Sequence, residues 1–383
     1  MPDRNILMFG AFSVLLLTVT GPSAAVGFTE NAASKYQRAR KALADDPTEA
    51  YQLARTLPKL SPVDSRRIDL LARSALRSGR PAAARRALSS LYEASDTTAE
   101  TFWAGLNLAE LALLGSEVDE AARYVAQLEE RRGSLDTRPA SERYFLSRLL
   151  RLRHDIALAR QQSDAARTHA LELKTRYPAS EAARRAGLTE TDPLDKADQY
   201  RRAKNLYTAW SYERARKAFE KLRGQPPYDD NARWYLGHIA LNKLRDRPKE
   251  AEQLFDSLTS GSPYAAEALY NKARARMTQE RYADALETLD AYARKYPGGR
   301  RTESVYYYRG WLPYDHRENE KAVEGFTAYI DRYGKGSGRS SYVYGFLAWT
   351  YMRMGKWKEA IETYDEMESF GNMLVWGKAL YWQ

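Results

Sequence analysis

Past residue 30, apolar residues recur three and four positions apart in long windows rich in Ala, Leu, Arg and Glu, and no alternating apolar-polar pattern persists. That spacing predicts helix almost throughout. One phrase returns again and again: a small Ala, a bulky residue four on, and another bulky residue three after that. These offsets share one helix face. The phrase reads Ala84, Leu88, Leu91, then Ala121, Val125, Leu128, then Ala166, Ala170, Leu173 and Ala215, Phe219, Leu222. It continues as Ala251, Phe255, Leu258, then Ala285, Leu289, Tyr292, then Ala322, Phe326, Tyr329 and Ala360, Tyr364, Met367. Successive Ala residues stand 37, 45, 49, 36, 34, 37 and 38 apart.

A second small residue stands twelve before the Ala in most copies: Ala72, Ala109, Ala203, Ala273, Gly310 and Ala348. Facing small residues let two helices approach closely while bulky neighbours fill the groove. Each copy therefore reads as a helix-turn-helix pair. Gly79, Gly115 and Gly355 fall in the turns, where they suit a left-handed cap. Pro178, Pro227, Pro263 and Pro297 follow second helices, where a helix must stop. Two copies depart. His154 stands at the small site before Ala166, and Pro313 falls inside the first helix before Ala322, which predicts a kink or a shortened helix.

A period near 34 with short insertions resembles the tetratricopeptide (TPR) repeat, and Leu347 to Met367, reading LAWTYMRMGKWKEAIETYDEM, is similar to its consensus. The resemblance covers 65–383 and is strongest from 196 onward. It implies an all-α, TPR-like helix-turn-helix solenoid wound as a right-handed superhelix. Irregular repeats are expected over 28–195 and regular ones over 196–383. The last residues, Ala379 to Trp382, read as the opening of a helix with no partner, as in a truncated array.

The first 27 residues read as a signal peptide. Arg4 precedes an apolar run from Ile6 to Thr20, Gly21 and Pro22 break it, and small residues Ser23 to Gly27 follow. The run is shorter than the roughly 20 apolar residues of a membrane span. The chain has no Cys, which excludes disulfides, thiol catalysis and a lipid-anchored N-terminus. The expected location is periplasmic or secreted, with no membrane span once the leader is removed. The net charge is +10, and Arg138 to Ala186 holds eleven Lys and Arg against five Asp and Glu. Spread over helices, such a run reads as a solvated face, although it also suits an anionic polymer.

No complete active site is visible. His154, His169, His238 and His316 lack metal-ligand spacing, and no metal or cofactor is expected. The loop of Gly334, Gly336 and Gly338 lacks the strand and Lys of a phosphate cradle and reads as a flexible linker. SVYYYRGW (Ser304 to Trp311) and GKALYWQ (Gly377 to Gln383) resemble helix starts in the N-terminal superhelical region of soluble lytic murein transglycosylases. Glu368, Ser369 and Phe370 imitate the opening of that family's catalytic signature, but Gly371 to Trp376 does not continue it, and Glu303 with Ser304 fails likewise.

The resemblance implies a non-enzymatic periplasmic scaffold that holds peptidoglycan or an envelope partner. The alternative is a stand-alone adaptor for envelope proteins or peptides, with no nucleic acid involved. The lipoprotein type of outer-membrane assembly factor is disfavoured by the missing Cys. In TPR arrays the first helices line the concave face. The sites expected there are Trp234, His238, Tyr270, Arg274, Tyr307, Trp311, Trp349 and Arg353, because aromatic and Arg side chains anchor peptide grooves and sugar surfaces.

Overall fold

A computed structural model of the chain describes residues 23–59, 64–94, 98–134, 139–186, 194–368 and 370. The signal-peptide expectation falls mostly on residues outside these, as do Ser369 and the phrase from Gly377 to Gln383. Among the described residues the fold is all-α, and its helices pair as a TPR-type solenoid does. Two compact units divide it, one up to Leu173 and one from Lys174.

The first unit opens with a hairpin of α1 (Ser23–Asp45) and α2 (Pro47–Arg55), a pair with no counterpart among the recurring phrases. Then follow α3 (Asp64–Arg77) with α4 (Pro81–Ala94), α5 (Thr98–Leu114) with α6 (Val118–Glu130), α7 (Pro139–Ala159) packed on both of the latter, and α8 (Ser163–Arg176), which carries the boundary. The second unit continues through the short α9 (Glu181–Arg185). Its pairs are α10 (Lys196–Thr208) with α11 (Tyr212–Glu220), α12 (Asp229–His238) with α13 (Pro248–Asp256), and α14 (Ala265–Thr278) with α15 (Tyr282–Lys295). The last two are α16 (Thr302–Asp315) with α17 (Asn319–Tyr333) and α18 (Ser340–Arg353) with α19 (Trp357–Glu368). No described helix is long and apolar enough to cross a membrane.

Every residue of the eight Ala-bulky-bulky phrases is buried. The small sites are buried too, and their size matters. A Cβ added to Gly310 would lie 2.4 Å from the ring of Phe326. One on Gly325, across the same interface, would lie 2.6 Å from the Arg309 carbonyl oxygen. That carbonyl is four residues before Pro313, so it is the one a proline leaves without its helical N–H. The expected shortening does not occur. α16 spans 14 residues, as α14 and α18 do, because Pro313 sits near its end and only one helical bond is lost.

One repeat breaks the twelve-residue offset. α12 continues into a π-helical turn, Ile239–Lys243. Its small site is Gly237, fourteen before Ala251, where a Cβ would lie 2.8 Å from the Phe255 ring. The wider turn absorbs the extra length and keeps the packing residue opposite its partner.

The turns inside the pairs are one device repeated eight times. Gly79, Ser116, Gln161, Trp210, Arg245, Glu280, Arg317 and Gly355 all have φ between +57° and +71°. In most of them the next amide reaches back to a carbonyl five residues earlier, as in Arg80 to Ala75, Glu117 to Ala112 and Lys356 to Tyr351. Gly115 is not the left-handed residue of its turn; Ser116 is. Six of the eight positions carry side chains, so the turn geometry overrides the glycine preference at roughly 1–2 kcal/mol each.

Candidate functional site

The eight residues expected on one face all lie on first helices of the second unit, from α12 to α18. Their surroundings differ. Trp234 stacks on Tyr264 with ring centres 4.8 Å apart, and it meets His238 at 4.3 Å and Phe255 at 5.7 Å. His238 has Asn242 Nδ2 3.2 Å from its Nδ1, while its Nε2 is buried without a hydrogen-bond partner. Burial, with Arg274, Lys243 and Arg301 nearby, pushes its pKa down to about 4. Arg274 donates to Asn242 Oδ1 at 2.7 Å and to Asn271 Oδ1 at 3.2 Å. The amides of α12 and α14 thus join His238 and Arg274 into one mesh.

Tyr270 is buried, which pushes its phenol pKa up, and the guanidinium of Arg301 sits 5.3 Å from its ring centre. Tyr307 lies under Arg339 at 5.5 Å and edge-on to Tyr308. Trp311 is half-buried between the cores of two repeats. Trp349 is 38% exposed, and the exposed Arg353 turns back to donate to the Tyr314 carbonyl, its guanidinium 4.2 Å from that ring centre. The structure therefore joins Trp234, His238 and Arg274, and holds Tyr270, Tyr307 and Arg353 in separate contacts with neighbouring repeats.

The sequence reading missed the residues that organise this face. On α12, α14, α16 and α18 the N-cap residue lies over the ring on the preceding first helix. Tyr228 stacks on Tyr200 at 4.8 Å, Tyr264 on Trp234, and Arg301 and Arg339 lie over Tyr270 and Tyr307. Three of the four also bond the residue three before the covered ring. Tyr264 OH donates to Asn231 Oδ1 at 2.6 Å, Arg301 Nε to Glu267 Oε2 at 2.7 Å, and Arg339 Nη1 to Ser304 Oγ at 2.9 Å. The signal was a fixed offset: each N-cap residue stands nine before the small residue of its own helix, as Arg301 does before Gly310. Gly345 occupies the ring position of α18, so the row of covered rings stops there.

The remaining candidates are engaged elsewhere. Glu303 accepts from Tyr329 OH at 3.0 Å and from Ser337 Oγ, which ties the glycine-rich loop to α16, and burial pushes the Tyr329 phenol up to about 12. His154 is buried beside Asp155, and His316 lies 3.6 Å from the Tyr282 ring centre. Among the described residues no group of His, Asp or Glu is arranged to hold a metal ion.

Comparison with known families agrees with the helix pairing. Family models described as tetratricopeptide repeat match residues 70–136, 200–264 and 244–302. The chain carries tetratricopeptide repeats. No curated protein sequence matches it. Among solved structures it is similar to YrrB, a TPR protein with an unusual peptide-binding site, at 16% identity over 49% of this chain and 91% of YrrB, TM-score 0.38. It is also similar to a TPR protein from Parabacteroides merdae, at 15% identity over 75% and 98%, TM-score 0.31. Yeast Tom70 shows 11% identity over 92% and 95%, TM-score 0.35. At these values the assignment rests on the family models and the helix pairs, and none of these comparisons links the chain to lytic transglycosylases.

Proposed function

We propose that this chain is a non-enzymatic scaffold that holds an extended peptide or protein segment on the first helices of its last described repeats. One observation carries the reading. On α18 Tyr342 is 62% and Trp349 38% exposed beside the exposed Arg339 and Arg353, whereas the rings of Trp234 and Tyr270 on α12 and α14 are covered. Rings and guanidinium groups on rigid helices are suited to gripping a segment that has no fold of its own. The test is fluorescence anisotropy of degenerate, labelled 12-residue peptide pools against the chain and its Tyr342→Ala/Trp349→Ala variant. Binding by the parent and at least tenfold weaker binding by the variant, with unchanged helical circular dichroism, is expected. Equal binding by both removes the reading.

The finer reading places this scaffold in the bacterial periplasm, with peptidoglycan or an envelope partner as its ligand, as a superhelical part of a transglycosylase-like protein. It is supported by the order of charge, apolar run and small residues over 1–27, and by the phrase from Ser304 to Trp311. Cell fractionation and co-sedimentation with purified sacculi test it. A cytoplasmic pool that ignores sacculi leaves the stand-alone adaptor.

A further inference from the structure

Of the eight left-handed positions in the turns inside the helix pairs, seven hold Gly, Ser, Gln, Arg or Glu, and one holds tryptophan. Trp210, between α10 and α11, has φ +62° and is 80% exposed, more than any other Trp, Tyr or Phe among the described residues. A bulky side chain in this backbone region is costly, and Gly79 and Gly355 are what the turn itself favours. Main-chain bonds close the turn, from the Ser211 N–H to the Leu206 carbonyl at 3.0 Å and from the Trp210 N–H to the Tyr207 carbonyl at 3.1 Å. Its geometry therefore does not depend on the indole. The surroundings are aromatic and basic. Tyr207 and Tyr212, on either side of Trp210 in the chain, meet edge-on at 5.6 Å, and the Lys243 ammonium lies 5.7 Å and 5.5 Å from their ring centres. Arg245 is the left-handed residue of the next turn along the array, between α12 and α13. Lys243 and Arg245 are exposed and form no ion pair among the described residues. The carboxylates beside them are taken up, Asp246 by Arg216 at 2.8 Å and Glu250 by Arg247 at 3.3 Å. Glu213, in the first turn of α11, is the remaining acid.

A lone ring on a turn is a poor anchor for a protein partner, because specific interfaces gather several apolar anchors over about 800 Å² per side. Among the described residues no other large apolar side chain between Leu171 and Tyr342 is exposed. The same ring suits the headgroup layer of a membrane. There an indole buries its apolar body and keeps its N–H wet, and nearby Lys and Arg are drawn to anionic lipid. We propose that the turn edge formed by α10–α11 and α12–α13 docks on an anionic membrane surface. The Trp210 indole sits at headgroup level, and Lys243 and Arg245 face the lipid phosphates. The contact is peripheral, since no described helix is long and apolar enough to cross a membrane. It uses the turn edge and not the first-helix face, so it stands whether or not that face holds a peptide.

The chain has no Cys, so one engineered thiol carrying an environment-sensitive dye reports on one place. The full chain is labelled at Thr208→Cys, on the turn edge, or at Ser260→Cys, in the α13–α14 connection. Each is titrated with vesicles of phosphatidylcholine alone or with about 30% phosphatidylglycerol. A blue shift is expected at Thr208→Cys with the anionic vesicles, lost as salt rises from about 0.05 M to about 0.5 M, and none at Ser260→Cys. Adding Lys243→Gln/Arg245→Gln should raise the half-saturating lipid concentration about tenfold. Trp210→Gly is the sharper variant, because its two effects have opposite signs. It should weaken binding about tenfold while raising the melting temperature by about 1–3 °C, since glycine relieves the left-handed turn. Trp210→Tyr, which keeps an interfacial ring, should keep most of the binding. No shift at Thr208→Cys, equal shifts at both labels, or unchanged binding by Trp210→Gly overturns the proposal. Weaker binding by Trp210→Gly together with a lower melting temperature overturns it too, because the ring then serves the fold.

Discussion

α12 and α18 are the same element of two different repeats, yet on one the aromatic face is covered and on the other two of its rings are exposed. On α12 the ring of Trp234 lies under Tyr264 and beside Phe255, and His238 is enclosed by Asn242 and the cations around it. On α18 the ring position is Gly345, and Tyr342 and Trp349 reach solvent. The difference teaches that a residue's place on the first-helix face does not decide its availability. On α12, α14 and α16 the covering side chain is the N-cap residue of the next first helix, which lies over Trp234, Tyr270 and Tyr307.

The comparison breaks most readily at its two tryptophans. Trp234→Ala should destabilise the second unit by about 2–4 kcal/mol, because a stacked, half-buried ring leaves a void. Trp349→Ala should cost within about 1 kcal/mol. Denaturant unfolding followed by circular dichroism checks both, and equal losses would mean that α18 is as covered as α12.

The next effect is one of pH. His238 has its pKa lowered to about 4 in the folded state, from an ordinary value of 6.5. Between those values the unfolded chain binds a proton that the folded chain refuses, so stability is full above about pH 6.5 and falls as pH drops toward 4. The loss should approach about 2–3 kcal/mol. His238→Phe should flatten that slope in melting curves taken across pH 7 to 4, apart from what shared carboxylates contribute. An unchanged slope would show that the imidazole is not enclosed as described.

The smallest effect concerns the helix interface below the open face. Gly310→Ala places a methyl against Phe326 and should cost about 1–3 kcal/mol. Lys358→Ala, at an exposed position of α19, should stay within about 0.5 kcal/mol. Similar values at both would mean that the packing register is misplaced.

The fold was largely legible because helix period and close packing both act locally. The eight phrases needed only a face of bulky residues and a small partner, and both are written in consecutive residues. Three features were not legible that way. The π turn after His238 shifts the small site to Gly237, and a two-residue displacement hides from a fixed offset. The left-handed turn residue fell on Ser116 beside Gly115, because hydrogen bonding across the turn, not residue type, sets the position. The covered rings were invisible since the covering residue comes from the next repeat, at separations of 28 for Tyr200 to Tyr228 and 32 for Tyr307 to Arg339. Connections of unequal length blur that spacing, whereas the constant nine-residue offset inside each first helix preserves it.

The central claim is that the first-helix face at α18, with the adjoining α16, holds a peptide while the meshed face of α12 and α14 does not. Hydrogen-deuterium exchange with and without a saturating peptide pool tests it directly. The account predicts added protection in 302–315 and 340–353, and none in 229–243 or in the first unit. Protection centred on α12, or spread over the helices up to Leu173, would contradict it.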